Sequence, residues 1–476
     1  MSDRYESLIA RRRRQARRRR NVRLLCVLVA GFGVGIVAAR GGPIDPRGFG
    51  LRGRLPDVAS SPERSVASIP PAAPAPPAPP PVPRVPAELL ALLPPTARAG
   101  VATSVAPGED RIVERVALDP TSSVPGPLEI EYTLDPALTR RVAEILRPVE
   151  LAHVVVLDPT DGRVLGYVST DPDAFPPTRP YPTASLMKVV TASAVLERAP
   201  EAMERPCRFV GSPYYLTQNL LDPPTRGHSA TFVQALAMSN NQCFAQLAVH
   251  ELGSLAVVET MQRLGLLEAP GPGHLAGEVD PVHDRFELGK LGSGLAGSRI
   301  SPLAAARMAA ALVDGQVVTP RWIARVRDAN GTELRLPDPV APRAALPPAL
   351  AAALRSMMIE TTERGTARRA FHDRKGGLVL DPVPVAGKTG TLNGQNPDGL
   401  YEWFIGLAPA DAPRVAVATL VVNRGNRHAS ATQIAAQVLR ALFCDASACR
   451  PEPALRVRPE APPGERRVET ASLHEG

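Results

Sequence analysis

The sequence predicts an α/β domain of the α+β type: a central antiparallel sheet flanked by helices, plus a mainly helical subdomain, behind an N-terminal transmembrane helix. Three observations carry this expectation. Strand-like apolar runs stand near both ends of residues 127–446 while helical spacing fills the middle, so one sheet must be closed by strands far apart in the chain. An uncharged run, Leu24 to Ala39, lies between Arg23 and Arg40. Between it and the domain, ten of the eighteen residues 69–86 are proline, a composition that favours an extended spacer over a packed core.

Residues 1–23 form a basic arm with ten arginines against Asp3 and Glu6, and that imbalance equals the whole formal charge of +8. The rest of the chain sums to zero, so no basic face for nucleic acid is implied. Residues 24–40 read as a membrane anchor. The sixteen apolar residues would span about 24 Å as a helix, and flanking arginines can snorkel to meet a hydrocarbon core of about 30 Å. The arm should stay cytoplasmic and place the remainder extracytoplasmic, in the periplasm; a cleaved signal peptide is the alternative and has the same consequence for export. Residues 41–126 are expected to be a proline-rich linker, about 55 Å long over 69–86 alone, and residues 447–476 a flexible tail.

Within the domain, Leu128 to Leu134 alternates as a strand does, and Asp135-Pro136 supplies an N-cap and first-turn proline for a helix to Leu146. His153 to Leu157 and Val164 to Val168, joined by the turn-rich Asp158 to Gly162, predict a hairpin. Helical spacing follows from Ser185 to Ala199, with Thr183 as its cap, then at 231–237, 241–252, 255–264, 302–313 and 347–363. Strands are expected at 383–391, 402–407 and 414–422, and a last helix from Ala429 to Phe443. Cys444 and Cys449, five apart in an exported chain, suggest a local disulfide; Cys207 and Cys243 are read as buried thiols, with a bridge as the alternative. No Cys/His spacing suits zinc and no HExxH occurs, so neither a metal nor another cofactor is expected.

Four lysines occur against fifty-one arginines, and two of them, Lys188 and Lys388, stand in Ser185-Leu186-Met187-Lys188 and Lys388-Thr389-Gly390-Thr391. An arginine cannot lose its proton in a protein, whereas a lysine can act as a base. Ser185 and Lys188 share a helix face at i and i+3, a nucleophile beside a base. To accept the serine proton near neutrality, the amine must fall from about 10.4 to near 7, roughly 4 kcal/mol, which burial, the helix dipole and a second ammonium all favour. A glycine inside the Lys388 strand marks a close approach by ligand or backbone. Peptide pairing along that strand would let Lys388 and the threonine hydroxyls hold a carboxylate, with the N–H groups of Ser185 and Thr391 as an oxyanion hole. Ser239-Asn240-Asn241, after the helix at 231–237, would bring a hydroxyl and an amide from a third element.

S-x-x-K, S-x-N and K-T-G in that order resemble the penicillin-binding proteins and serine β-lactamases. Tyr132 to Leu138, the 154–168 hairpin, Gly365-Thr366-Ala367 and Trp403 to Pro409 are similar to the transpeptidase domain of the former, over roughly 127–443. The resemblance implies that Ser185 is acylated by a stem peptide ending in D-Ala-D-Ala, with Lys188 as base and Ser239 relaying a proton to the leaving amine. It implies that Asn241 binds the substrate amide, that Lys388, Thr389, Gly390 and Thr391 take the terminal carboxylate, and that β-lactams inhibit. A second stem peptide's amine would then resolve the acyl-enzyme. The residues before the nucleophile, Tyr181 to Ala184, lack the Pro-Gly pair often found there. The segment ahead of 127 is too short and proline-rich for a glycosyltransferase domain, which makes a separate glycosyltransferase a candidate partner. A β-lactamase is disfavoured by the absence of Glu-x-x-Leu-Asn after Asn241 and by the 149 residues between Ser239 and Lys388. A D,D-carboxypeptidase or endopeptidase shares all three motifs, and a non-catalytic sensor would not need Ser185, Lys188 and Lys388 intact.

Overall fold

Strands from the two ends of the domain form its main sheet. The computed structural model describes residues 83–90, 92–94, 110–117, 126–425 and 429–444. Its strands are β1 (Val113–Val116), β2 (Leu128–Tyr132), β3 (Ala152–Leu157), β4 (Val164–Ser169), β5 (Ile323–Arg327), β6 (Ala386–Gly394), β7 (Gly399–Ala408) and β8 (Val415–Asn423), beside several two- and three-residue pairs. The main sheet has the order β6-β7-β8-β3-β4, antiparallel throughout. The expected closure occurs between β8 and β3, with Val417 opposite Val156. Both strands are buried along almost their whole length, which is why they read as continuous apolar runs and not as alternating ones. β2 joins β1 and β5 in a separate three-stranded sheet.

Besides a single turn at Ala87–Leu90 and short 3-10 and π segments, the helices among the described residues are α1 (Pro136–Leu146), α2 (Met187–Arg198), α3 (Phe232–Ala237), α4 (Asn241–Leu247), α5 (Gly253–Arg263), α6 (Arg285–Ser293), α7 (Pro302–Ala310), α8 (Pro348–Glu363), α9 (Arg368–Phe371) and α10 (Ala431–Phe443). Asp135 caps α1 as expected, accepting from the Leu138 N–H at 2.8 Å. Helices α1 and α10 cover one face of the sheet with Val154, Val156 and Phe404, while α7 covers the other. Helix α2 is buried from Met187 to Leu196 and anchors the helical subdomain.

Four expectations change. Thr183 makes no side-chain cap, because the chain enters the helix through a 3-10 turn, Ala184–Leu186, with Ala184 at φ +50°. Cys207 and Cys243 are joined by a disulfide: the strand Cys207–Phe209 runs beside α4 and brings the two Cα atoms to 5.7 Å. Packing also starts inside the segment expected as linker. Val85 and Leu89 are buried in the core, the Trp322 indole donates to the Leu92 carbonyl at 2.7 Å, and β1 pairs with β2, because this stretch carries enough apolar surface to bury. Helix α6 was not anticipated. Gly289 and Gly292 lower its helix propensity, but their bare Cα atoms face Leu221 and Ala248, where an added Cβ would lie 2.5 and 2.3 Å from the neighbouring carbon.

Cys444 is disulfide-bonded, and its expected partner Cys449 lies outside the described residues. So do the arm, the anchor at 24–40, most of 41–126 and the tail at 447–476. Among the described residues no helix is long and apolar enough to cross a membrane.

Candidate active site

Three elements converge where the motifs predict. The turn Ala184–Leu186 and α2 carry Ser185 and Lys188, the α3–α4 junction carries Ser239 and Asn241, and the edge strand β6 carries residues 388–391. Ser239 stands between the C-cap Met238 and the N-cap Asn240 with φ +57°. Left-handed backbone in a non-glycine residue costs on the order of 1–2 kcal/mol, and here it occurs at Ala184, directly before Ser185, and at Ser239 itself. The missing glycine before the nucleophile therefore has a physical correlate: position 184 adopts the conformation that glycine favours.

Lys188 is fully buried and has three partners. Its Nζ lies 2.8 Å from Ser185 Oγ, 2.6 Å from Asn241 Oδ1 and 2.6 Å from the Ser293 carbonyl. The last two can only accept, so they take the two N–H bonds of a neutral amine. The remaining lone pair then faces the Ser185 hydroxyl, which can donate to it. Burial first, and the neighbouring Lys388 second, hold Lys188 well below its ordinary value. The amide of Asn241 is oriented in turn by donating from Nδ2 to the Tyr214 carbonyl at 2.6 Å.

Lys388 is equally buried, and its Nζ donates to Ser239 Oγ and to the Thr389 carbonyl, each at 2.8 Å. Burial lowers it to about 7. Strand alternation puts Lys388 and Gly390 on one face of β6 and Thr389 and Thr391 on the other. This separates residues that the motif reading grouped at one carboxylate. Lys388 backs Ser239, whereas the threonine hydroxyls lie on the outer face. Gly390 sets the approach of β6 to the nucleophile: an added Cβ would meet the Ala184 Cβ at 3.2 Å and the Ser185 nitrogen at 3.4 Å. An unpaired strand edge beside that nitrogen is where backbone N–H groups can converge on an oxyanion.

Several participants escaped the motif reading. The carbonyls of Ser293 and Tyr214 carry no side-chain signature. Gly294, left-handed at φ +77°, closes α6 so tightly that an added Cβ would lie 2.0 Å from the Ala184 carbonyl oxygen. Thr366 was noted only as part of a resemblance; its hydroxyl lies 2.5 Å from that of Thr389, and its N–H donates to the Ala237 carbonyl at the end of α3. Lys290 and Lys375 stay outside the site, the former over the Phe286 ring at 4.9 Å.

Residues 152–443 match the family described as penicillin binding protein transpeptidase domain. Peptidoglycan D,D-transpeptidase PbpA of Mycobacterium tuberculosis is 27% identical over 332 residues, which span 61% of this chain and 66% of the relative's length. Its fold is similar to that of M. tuberculosis penicillin-binding protein A in a penicillin G acyl-enzyme complex (TM-score 0.53, 24% identity, 66% of this chain and 79% of that one). It is also similar to that of apo penicillin-binding protein 3 of the same organism (TM-score 0.56, 23% identity, 72% and 84%).

Proposed function

The chain belongs to the penicillin-binding protein transpeptidase family, and from that premise we propose that it is a membrane-anchored, monofunctional D,D-transpeptidase that crosslinks peptidoglycan stem peptides outside the cytoplasm and is inhibited by β-lactams. One observation carries the chemistry: a buried Lys188 amine whose two acceptor partners leave its lone pair for Ser185. Ser185 Oγ attacks the carbonyl of the penultimate D-Ala and passes its proton to Lys188. The oxyanion forms against the N–H groups of Ser185 and Thr391. As the C–N bond breaks, the proton that Lys188 took up passes through Ser239 to the leaving D-Ala amine, while Lys388 holds the Ser239 oxygen. Asn241 orients both Lys188 and the substrate amide, while Thr389 and Thr391 receive the terminal carboxylate along β6. The amine of a second stem peptide then attacks the ester, its proton returning to Ser185. The N-terminal run at 24–40 would be the anchor, and a separate glycosyltransferase would supply the glycan.

Labelled penicillin followed by mass spectrometry tests the assignment. A long-lived adduct on Ser185 is expected; rapid turnover would mark a β-lactamase, and no adduct would end the reading. Incubation with peptidoglycan strands then separates crosslinked products, as expected here, from the trimmed stems that a carboxypeptidase leaves.

The two lysines also predict a pH profile. Lys188, held well below its ordinary value by burial and by the neighbouring Lys388, works as a base only while unprotonated, so acylation falls as acid protonates it. Lys388, lowered to about 7, is cationic below that pH and neutral above it, so its positive field behind Ser239 and the carboxylate-binding strand is lost as pH rises, and reaction with an anionic substrate slows. The second-order labelling rate should therefore peak near or below neutrality and drop by about tenfold per pH unit on the alkaline side. A rate that stays flat from neutral to pH 9 would remove the cationic role of Lys388.

A further inference from the structure

Outside the N-terminal arm the formal charge sums to zero, yet residues 368–375, close in the chain to the site, carry four basic side chains against one carboxylate, Asp373. After Thr366 the chain buries Ala367, Ala370 and Phe371, the last with its ring 5.4 Å from that of Phe404 on β7. This anchoring leaves Arg368 and Arg369 exposed. The chain then turns at Asp373, whose carboxylate accepts the N–H groups of Lys375 and Gly377 at 2.8 Å, and it closes with a bridge between His372 and Leu378. Arg374 and Lys375 are exposed on the tip. None of these four cations has an ion pair among the described residues, whereas Arg364 just before them is paired with Glu360 at 2.7 Å. Arg368 follows Thr366 by two residues, at most about 8 Å of chain, and the Thr366 hydroxyl touches Thr389.

We propose that Arg368, Arg369, Arg374 and Lys375 form a docking surface for the anionic stem peptides of a peptidoglycan strand, next to the edge strand that receives one of them. The inference rests on the transpeptidase reading: each uncrosslinked stem ends in a carboxylate, so an uncrosslinked strand is a polyanion. Four exposed cations within eight residues outnumber the one carboxylate among them, Asp373, and this excess attracts a complementary polyanion. Because the charges are exposed, they act by steering and retaining the polymer, an effect screened beyond about 8 Å at physiological ionic strength. A small monoanion such as penicillin reaches Ser185 without spanning this surface.

The test compares the full chain with its R368Q/R369Q/R374Q/K375Q variant, both carrying the arginine-rich arm, at low salt and at about 0.5 M salt. Crosslinking of polymeric, uncrosslinked strands should fall about tenfold in kcat/KM at low salt, with most of the difference gone at high salt. Penicillin labelling of Ser185 should change less than about twofold at either salt. The tip variant R374Q/K375Q, which leaves α9 untouched, should show a smaller polymer defect with full labelling, and it serves if the quadruple variant misfolds. Unchanged polymer use by the tip and quadruple variants overturns the proposal, as does a tip variant that loses polymer use and labelling in parallel. A wild-type chain that takes no label on Ser185 instead fails the parent reading.

Discussion

Replacing Lys188 by arginine should abolish acylation of Ser185 although a basic residue still occupies the position. A guanidinium has no lone pair to offer and cannot be deprotonated in a protein, so the proton of Ser185 has nowhere to go. General-base catalysis contributes about 10²–10⁴-fold, and arginine must also fit its larger head where the amine is fully buried between Asn241, Ser293 and Phe244. A drop of at least about 10³-fold in the second-order rate of penicillin labelling is the expected result. Lys188→Met separates chemistry from packing. It removes the base while leaving an apolar chain of similar length in the buried channel, so a folded protein by circular dichroism that takes no label is expected. Appreciable labelling of the arginine variant would rule out the lysine-base mechanism.

Gly294→Ala should damage both the stability of the domain and the reactivity of Ser185. Its Cβ would fall 2.0 Å from the Ala184 carbonyl oxygen and 2.6 Å from the carbonyl carbon, both backbone atoms that cannot rotate away. Relief requires the Ala184–Ser185 peptide or the end of α6 to shift by an ångström or more. The first displaces the nucleophile and the second displaces the Ser293 carbonyl from Lys188. A misplacement of that size costs about 10²-fold in rate, and alanine at φ +77° adds on the order of 1 kcal/mol of backbone strain. The variant should melt several degrees lower and, well below its melting temperature, label about 100-fold more slowly. Labelling within threefold of wild type would show that the turn does not position Ser185.

Much of the fold was legible because its strong signals are local. Asp135-Pro136 announces α1, the turn residues 158–162 announce the β3–β4 hairpin, and the apolar run at 414–422 marks a strand buried on both faces. Helix α6 was not legible, because Gly289 and Gly292 are chosen for what faces them across the subdomain and not for helix propensity. The same holds for the Cys207–Cys243 bridge. Thirty-six residues separate the pair, and only the path of the intervening loop makes them neighbours. The packing of Val85 and Leu89 was obscured by the prolines around them, which dominate the composition of that segment.

For the site, the residue types alone supply the chemical vocabulary: a hydroxyl and an amine three residues apart, a second hydroxyl with its amide, and a lysine on a glycine-containing strand. These residue types are dictated by proton transfer and anion binding, so they appear as motifs. How they work together depends on the packing of three elements far apart in the chain. This packing divided the Lys388 strand into a buried lysine behind Ser239 and outward threonines, because neighbouring residues of a strand point to opposite faces. It also completed the coordination of Lys188 with the Ser293 carbonyl, and that of Asn241 with the Tyr214 carbonyl. Backbone carbonyls are the same in every residue, so their role depends wholly on where the chain passes and cannot be read from the residue type.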